Sequence, residues 1–320
     1  MWPAVPAITF FIALPFILLF LSGGASIHAQ DSAGAVTFKT GVSDVKVDAQ
    51  VVMGKDVVKG LNKEDFIVKD QDQPQTITYF GRDSEPLSLV LLLDISGSMQ
   101  RYIERISATA KEALSYLRPH DRVAILVFAR EMAVHQDFSD NFADTSRQIA
   151  TAATAHDVGT GTYINQAVAE AAEYIHERAG PAGRRAILIL TDNLSLAHQF
   201  SDDKVLKSLY RSDTVLNAIV VGRAIRPAPH PPGRYFDPES APVDVFKLAE
   251  ETGGEAIHAD EPEITFREII ERIRTRYLLT YHAPGGRSGS FRRIDVHLTG
   301  DGYRRYPWAD VHARRGYYVE

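Results

Sequence analysis

One stretch constrains this chain more than any other: the apolar run Leu89-Val90-Leu91-Leu92-Leu93, followed at once by Asp94-Ile95-Ser96-Gly97-Ser98-Met99. Five consecutive apolar residues read as a strand buried on both faces, the state of a central parallel strand covered by helices. In such sheets ligands bind beyond the carboxyl ends of the strands, where Asp94, Ser96 and Ser98 fall. Asp-x-Ser-x-Ser at that point is a cluster of hard oxygens suited to a hard cation.

Around this strand the pattern alternates between strand and helix from residue 87 to residue 275. Ile103, Ile106, Ala110, Ala113, Leu114 and Leu117 recur at helical spacing, and so do Ile164, Ala167, Val168, Ala171, Ala172 and Ile175. Apolar runs at 123–128, 186–190 and 215–221 read as further buried strands, Ala133-Val134-His135 as an edge strand and Ile264–Ile273 as a last helix. The expected fold class is therefore α/β, a doubly wound, mostly parallel sheet. On either side the period changes to two. Val45, Val47, Ala49 and Val51 alternate with polar residues, with Phe66-Ile67-Val68 and Thr76–Phe80 adding strands around a polar turn at 70–74. Near the end of the chain Ile294, Val296 and Leu298 alternate in the same way. The expected organisation is an N-terminal β module at 36–82, an α/β domain at 87–275 and a C-terminal β segment at 276–320. The two β parts together are expected to form one β-sandwich into which the α/β domain is inserted.

The 320 residues suffice for about two such cores. A formal charge of −6 disfavours a nucleic-acid partner, and the absence of cysteine excludes disulfides, thiolate chemistry, Cys-ligated metals and a lipid-anchored amino terminus. Residues 1–29 hold no Asp, Glu, Lys or Arg, and small residues end the apolar run before Ala29. They read as an export signal cut after Ala29 or, alternatively, as a retained membrane anchor. In both cases the remainder is expected outside the cytoplasm: periplasmic, secreted or on the cell surface. A membrane role is expected only through that segment.

The hard oxygens recur elsewhere. Asp192 ends the strand at 186–190, and Thr162 follows Asp157-Val158-Gly159-Thr160-Gly161 at the entrance of a helix. In a doubly wound sheet these points can converge with Asp94. Mg²⁺ bound by few protein oxygens keeps waters, and so keeps a position for an outside ligand. The competing reading of Ser96-Gly97-Ser98 is a helix cap. Gly159-Thr160-Gly161 lacks the third glycine and the preceding strand of a dinucleotide fingerprint. None of the 11 histidines forms a His-Glu-x-x-His pair. His156 and His198 fall on loops expected near the metal, and the Pro-rich loop 223–242 is either a rim of that face or a solvated connector. A magnesium-dependent phosphohydrolase is the rival class. It would need a nucleophile and a charge clamp for the phosphate, and neither a second Asp at position 96 nor a Gly-x-Ser-x-Gly elbow is present. A purely structural envelope protein is the third.

Asp94-x-Ser96-x-Ser98, Gly161-Thr162 and Thr191-Asp192, in this order, resemble the metal-ion-dependent adhesion site of von Willebrand factor A (VWA) domains. The strand-rich prelude and the tail near Arg315-Gly316-Tyr317 resemble an exported bacterial VWFA-related group. The resemblance implies that Ser96 and Ser98 hold the cation through their hydroxyls, Thr162 directly or through water, and Asp94 and Asp192 directly or mainly through water. It implies Mg²⁺, or Mn²⁺ or Ca²⁺, as the cofactor, no catalytic residue, and a protein ligand that supplies a carboxylate to the metal. The family commonly has Gly where Asn193 stands, which bears on the shape of the loop 193–201.

Overall fold

The alternation at Val45–Val51 becomes strand β1 (Asp44–Met53), whose inward residues are buried while Asp44, Lys46 and Asp48 lie outward or at a junction. The computed structural model describes residues 43–82, 85–180, 182–195, 200–222 and 243–319. The expected signal or anchor at 1–29, linker residues 83–84, His198 and the loop 223–242 lie outside the described residues. After β1 come β2 (Asp56–Val57), β3 (Phe66–Asp70), β4 (Gln73–Gln75) and β5 (Ile77–Gly81). The expected turn at 70–74 is shorter than its composition suggests. Gln71 and Asp72 have φ of 50° and 64°, the paired positive values of a two-residue hairpin turn, so Gln73 and Pro74 belong to β4. Pro74 is tolerated there because β4 is an edge strand.

The central domain runs β6 (Leu87–Asp94), α1 (Gln100–Leu114), β7 (Arg122–Phe128), β8 (Met132–Ser139), α2 (Phe142–Ala152), α3 (Ile164–Arg178), β9 (Arg184–Thr191), α4 (Asp202–Arg211), β10 (Thr214–Val220), α5 (Val245–Thr252), β11 (Ala256–His258) and α6 (Pro262–Arg274). Its sheet has the order β11-β10-β9-β6-β7-β8, with every pairing parallel except β7 with the edge strand β8. All of β6 is buried, because helices cover both faces. Leu89, Leu91 and Leu93 pack with α1, α2 and α6, whereas Val90 and Leu92 pack with α3, α4 and α5. The next strand after β6 lies on one side of it, and β9, reached through α3, lies on the other. This reversal makes the β6/β9 boundary the topological switch point.

The chain then returns to β pattern with β12 (Tyr277–His282), β13 (Phe291–Leu298), α7 (Gly300–Arg305), β14 (Asp310–Ala313) and β15 (Gly316–Tyr318). One sheet has the order β14-β1-β12-β5 with β2 beside β1; the other has the order β15-β13-β3-β4. Each mixes strands from both ends of the chain, and one apolar cluster joins them, including Val47, Val51, Phe66, Val68, Leu279, Tyr281, Ile294 and Val296. Two antiparallel sheets over a shared core make a sandwich, flanking the α/β sheet. The short helix α7 has no apolar periodicity to announce it. It is held by the Thr299 hydroxyl, which accepts from the Gly302 N–H.

Buried arginines bind the sandwich to the α/β sheet. Asp48 on β1 pairs with Arg184 at the start of β9 and with Arg276 between α6 and β12. Arg276 also donates to the carbonyls of Gly253 (2.6 Å) and His312 (3.3 Å), and Arg184 to that of Arg274 at 3.2 Å. Gly253 ends α5 at φ 79°, where a Cβ would stand 2.4 Å from the carbonyl carbon of Ala313. A left-handed conformation and a backbone collision coincide there. Gly253→Ala is expected to lower stability by more than about 2 kcal/mol, as read from urea midpoints; an unchanged midpoint would show that β14 can move away.

Candidate metal centre

Beyond the carboxyl end of β6 the chain turns sharply. The Asp94 Oδ1 accepts from the Ser96 N–H at 3.0 Å, and the Met99 N–H donates to the Ser96 carbonyl at 2.8 Å. This local turn ends in α1 and leaves both serine hydroxyls at the crevice, with their Oγ atoms 3.5 Å apart. The helix-cap reading of these serines is not the arrangement found, since α1 has no side-chain cap at its amino end. From the adjacent strand, Thr191 donates its hydroxyl to Asp94 Oδ2 at 2.9 Å. One residue on, Asp192 Oδ2 accepts from the Ser98 hydroxyl at 2.7 Å. The structure thus brings Asp94, Ser96, Ser98 and Asp192 together across the β6/β9 switch point.

Thr162 comes from the loop before α3 and is itself buried. Its hydroxyl bonds none of the other four residues, but its backbone carbonyl accepts from Ser195 Oγ at 2.9 Å, which ties its loop to the segment that carries Asp192. Ser195 and Thr191 are the residues that reading the sequence left without a role. The signal for Thr191 was its place as the last residue of a buried strand beside an essential carboxylate. Ser195 offered no such signal, because its partner is a backbone oxygen far away in sequence. Asn193 has φ 58°, which explains the glycine common in the family at that position. Asn is among the few other residues that adopt the left-handed region readily, and here its N–H donates to Thr191 Oγ1 at 3.1 Å. The departure from glycine therefore leaves the loop geometry at Asp192 intact.

The electrostatics of the crevice favour a cation. Asp94 is fully buried. Burial pushes its carboxyl up to about 6, with the Asp192 charge adding to the rise, against hydrogen bonds from Ser96 and Thr191 that pull it down. Among the described residues, no Lys, Arg or His pairs with either carboxylate. A buried carboxylate without a compensating charge is costly. The two carboxylates and the hydroxyls of Ser96 and Ser98 are all hard oxygens, a set that fits Mg²⁺, Mn²⁺ or Ca²⁺ and not a soft metal. No group of three or more His, Cys, Asp and Glu suited to a metal occurs among the described residues, so a cation here would depend on the hydroxyls.

His156 does not join this group. It faces His135 on β8. Gly159 and Gly161, with φ of 74° and 94°, shape the loop in front of α3.

Residues 89–194 match the family model described as the von Willebrand factor type A domain, and the protein carries a VWA domain over this core. Among solved structures the chain is similar to the conserved hypothetical protein BatB from Bacteroides thetaiotaomicron. That likeness has 18% identity and a TM-score of 0.45, covering 58% of this chain and 97% of that one. A von Willebrand factor type A protein from Catenulispora acidiphila is 11% identical with a TM-score of 0.44, over 87% of this chain and 75% of that one. The vWF domain of the type V pili tip protein Mfa5 from Porphyromonas gingivalis is 18% identical over 36% of this chain and 40% of its own, with a TM-score of 0.30. No curated protein matches the chain.

Proposed function

We propose that this protein is a non-enzymatic, divalent-cation-dependent protein-binding module, exported and acting in adhesion or envelope assembly. The observation that carries the reading is the buried Asp94 carboxylate, uncompensated among the described residues and surrounded by hydroxyls at the switch point. Ser96, Ser98 and Thr162 would hold the ion through hydroxyls, and Asp94 and Asp192 through carboxylates or water. When bound, the cation supplies a positive charge that an outside carboxylate can meet. Around it, Thr191 fixes Asp94, the Ser98 hydroxyl fixes Asp192, and Ser195 holds the Thr162 loop against the Asp192 segment. Holding Asp94, Asp192 and the Thr162 loop in this way would lower the ordering cost of binding. The partner is a protein that presents Asp or Glu, and the cation is Mg²⁺, with Mn²⁺ or Ca²⁺ as substitutes.

A phosphohydrolase would need a cationic clamp for the phosphate, and the described contacts of Asp94, Ser96, Ser98 and Asp192 include no Lys or Arg. Export rests on the apolar, uncharged residues 1–29. Among the described residues no helix is long and apolar enough to cross a membrane.

Titration calorimetry with MgCl₂ and MnCl₂ tests the cation. Wild type is expected to bind one ion, and Asp94→Ala or Ser98→Ala to weaken binding at least about tenfold. Equal binding by wild type and variants would refute the assignment. Capture of envelope proteins that is lost in EDTA and in Asp94→Ala supports the partner reading. Cation binding without any EDTA-sensitive partner would favour the structural envelope protein, and Asp94-dependent hydrolysis of phosphate esters the enzyme.

A further inference from the structure

Outside the Asp94 crevice, which lies at the centre of the α/β sheet, a pair of metal-competent side chains meets at its β8 edge. His135 lies on the edge strand β8 and His156 on the loop between α2 and α3. His135 Nδ1 and His156 Nε2 are 3.0 Å apart, and the rings meet edge to face at 81° with centroids separated by 5.2 Å.

From this geometry we infer that His135 and His156 form a second cation site, built from two imidazole nitrogens and suited to a borderline transition metal, Zn²⁺ first, not to the hard ion of the Asp94 site. Three features of the structure support it. The first is the tautomer. His135 Nε2 lies 3.1 Å from the Gln148 carbonyl, an acceptor that cannot donate. Thr151 donates its own hydroxyl proton to the same carbonyl at 3.1 Å and stands 3.3 Å from His135 Nε2. The ring proton of neutral His135 therefore sits on Nε2, and the Nδ1 lone pair points towards His156. A ring N–H held by a backbone carbonyl while the other nitrogen stays bare is the support that metal-ligating histidines receive.

The second feature is spacing. Two nitrogens on one tetrahedral zinc, each at about 2.0–2.1 Å, are about 3.3 Å apart. To bind one ion the pair would open by a few tenths of an ångström, the rings would turn so that both lone pairs converge on it, and His156 would shift its proton from Nε2 to Nδ1. The third is that backbone bonds hold together the two segments that carry the histidines. Arg130 and Glu131, in the β7–β8 turn, both donate their N–H to the Val158 carbonyl at 3.0 Å, and the Tyr163 N–H donates to the Ala129 carbonyl at 2.9 Å. The α2–α3 loop is thus docked on the β7–β8 turn on both sides of the glycines, and His156 is held against β8 before any metal binds.

No third His, Cys, Asp or Glu completes the set among the described residues, so water would fill the remaining positions and affinity would be moderate. Nitrogen donors separate this site from the all-oxygen crevice. An ion here would bridge β8 to the loop that leads on to Thr162.

The test is a titration of the full chain with ZnCl₂ against a chromophoric chelator, in excess MgCl₂ and in the Asp94→Ala background, so that zinc at the oxygen site does not contribute. One zinc per chain is expected, weakened at least about tenfold by His135→Ala and by His156→Ala. His156→Gln keeps a hydrogen-bonding side chain and should lose zinc while leaving the melting curve of the metal-free protein unchanged. Zinc-dependent shifts of the His135 Nδ1 and His156 Nε2 resonances would place the ion. Zinc binding that persists in the His135→Ala/His156→Ala double variant, or no binding at all to a correctly folded wild type, would overturn the inference.

Discussion

Asp94→Asn is expected to make the metal-free protein more stable at pH 7, by up to about 3 kcal/mol, while abolishing cation binding. The physical reason is linkage. An Asp raised to about 6 in the folded state titrates near 4 when unfolded, and each unit of difference is worth about 1.4 kcal/mol. The neutral carboxyl is the form that the crevice tolerates. The stability conferred by the folded environment is therefore fully present below about pH 4 and lost as pH rises through about 6. Asn mimics the neutral form at every pH, so the gain over wild type should vanish at pH 4 and reach its plateau above pH 6. The amide fits the space of the carboxyl: its oxygen can accept from the Ser96 N–H, and its nitrogen can donate to Thr191 Oγ1, which has a second lone pair beside the one already used by Asn193. The Thr191 hydroxyl proton then loses Asp94 Oδ2 as its acceptor, which takes about 1 kcal/mol or more off the gain. Urea unfolding in EDTA across pH 4–8 measures this. A variant less stable than wild type at pH 7 would mean that the Asp94 charge is already balanced in the empty fold, and the case for a cation would weaken with it. The same substitution in saturating Mg²⁺ should reverse the order, because only wild type gains binding energy. A residue that destabilises the empty fold and stabilises the loaded one marks a site kept for its ligand.

The second large effect lies at the far end of the sheet. Asp48→Ala is expected to cost about 3–5 kcal/mol, because it leaves the guanidiniums of Arg184 and Arg276, each with a side chain only 1% exposed, without their carboxylate. Burial by itself would raise the Asp48 carboxyl; the two arginines outweigh it and hold the group below its ordinary value. The sign here is opposite to that of Asp94. Stability from Asp48 is present above about pH 4 and lost as pH falls through its lowered value, so the variant should lose less than wild type on acidification below pH 4. Denaturant unfolding at pH 7 and pH 3 reads both. A loss under about 1 kcal/mol at pH 7 would show that water or the carbonyls of Gly253 and His312 satisfy the arginines unaided. Because Asp48 joins β1 to both β9 and the α6–β12 connection, its removal should also uncouple the sandwich from the α/β sheet, seen as two unfolding transitions where wild type shows one.

Much of the fold was legible because the chain's periodicities are unambiguous. The continuous apolar run at β6 could only be a strand covered on both faces, and the helical spacing in α1 and α3 left no competing period. The tail was harder. Helix α7 carries two glycines in six residues and forms because Thr299 caps it and its neighbours pack, which no local pattern announces. β14 and β15 are short strands whose pairing with β1 and β13 depends on residues more than 250 and about 25 positions away in sequence. Register over such distances is set by the sandwich core, not by nearby residues.

The candidate site divides in the same way. Sequence alone determined which oxygens are present and that Asp94, Ser96, Ser98, Thr162 and Asp192 sit where strands end and a helix begins, because strand ends are written in the change from apolar to polar residues. Only the tertiary structure decided which of them meet. The reversal of strand order at β6/β9 brings Asp192 to the Ser98 hydroxyl and Thr191 to Asp94, and gives Asn193 its left-handed turn. The same folding sent His156 to His135 instead of to the Asp94 crevice. Such pairings are set by which strands become neighbours across nearly a hundred residues of chain, a choice made by burying both faces of β6 at once.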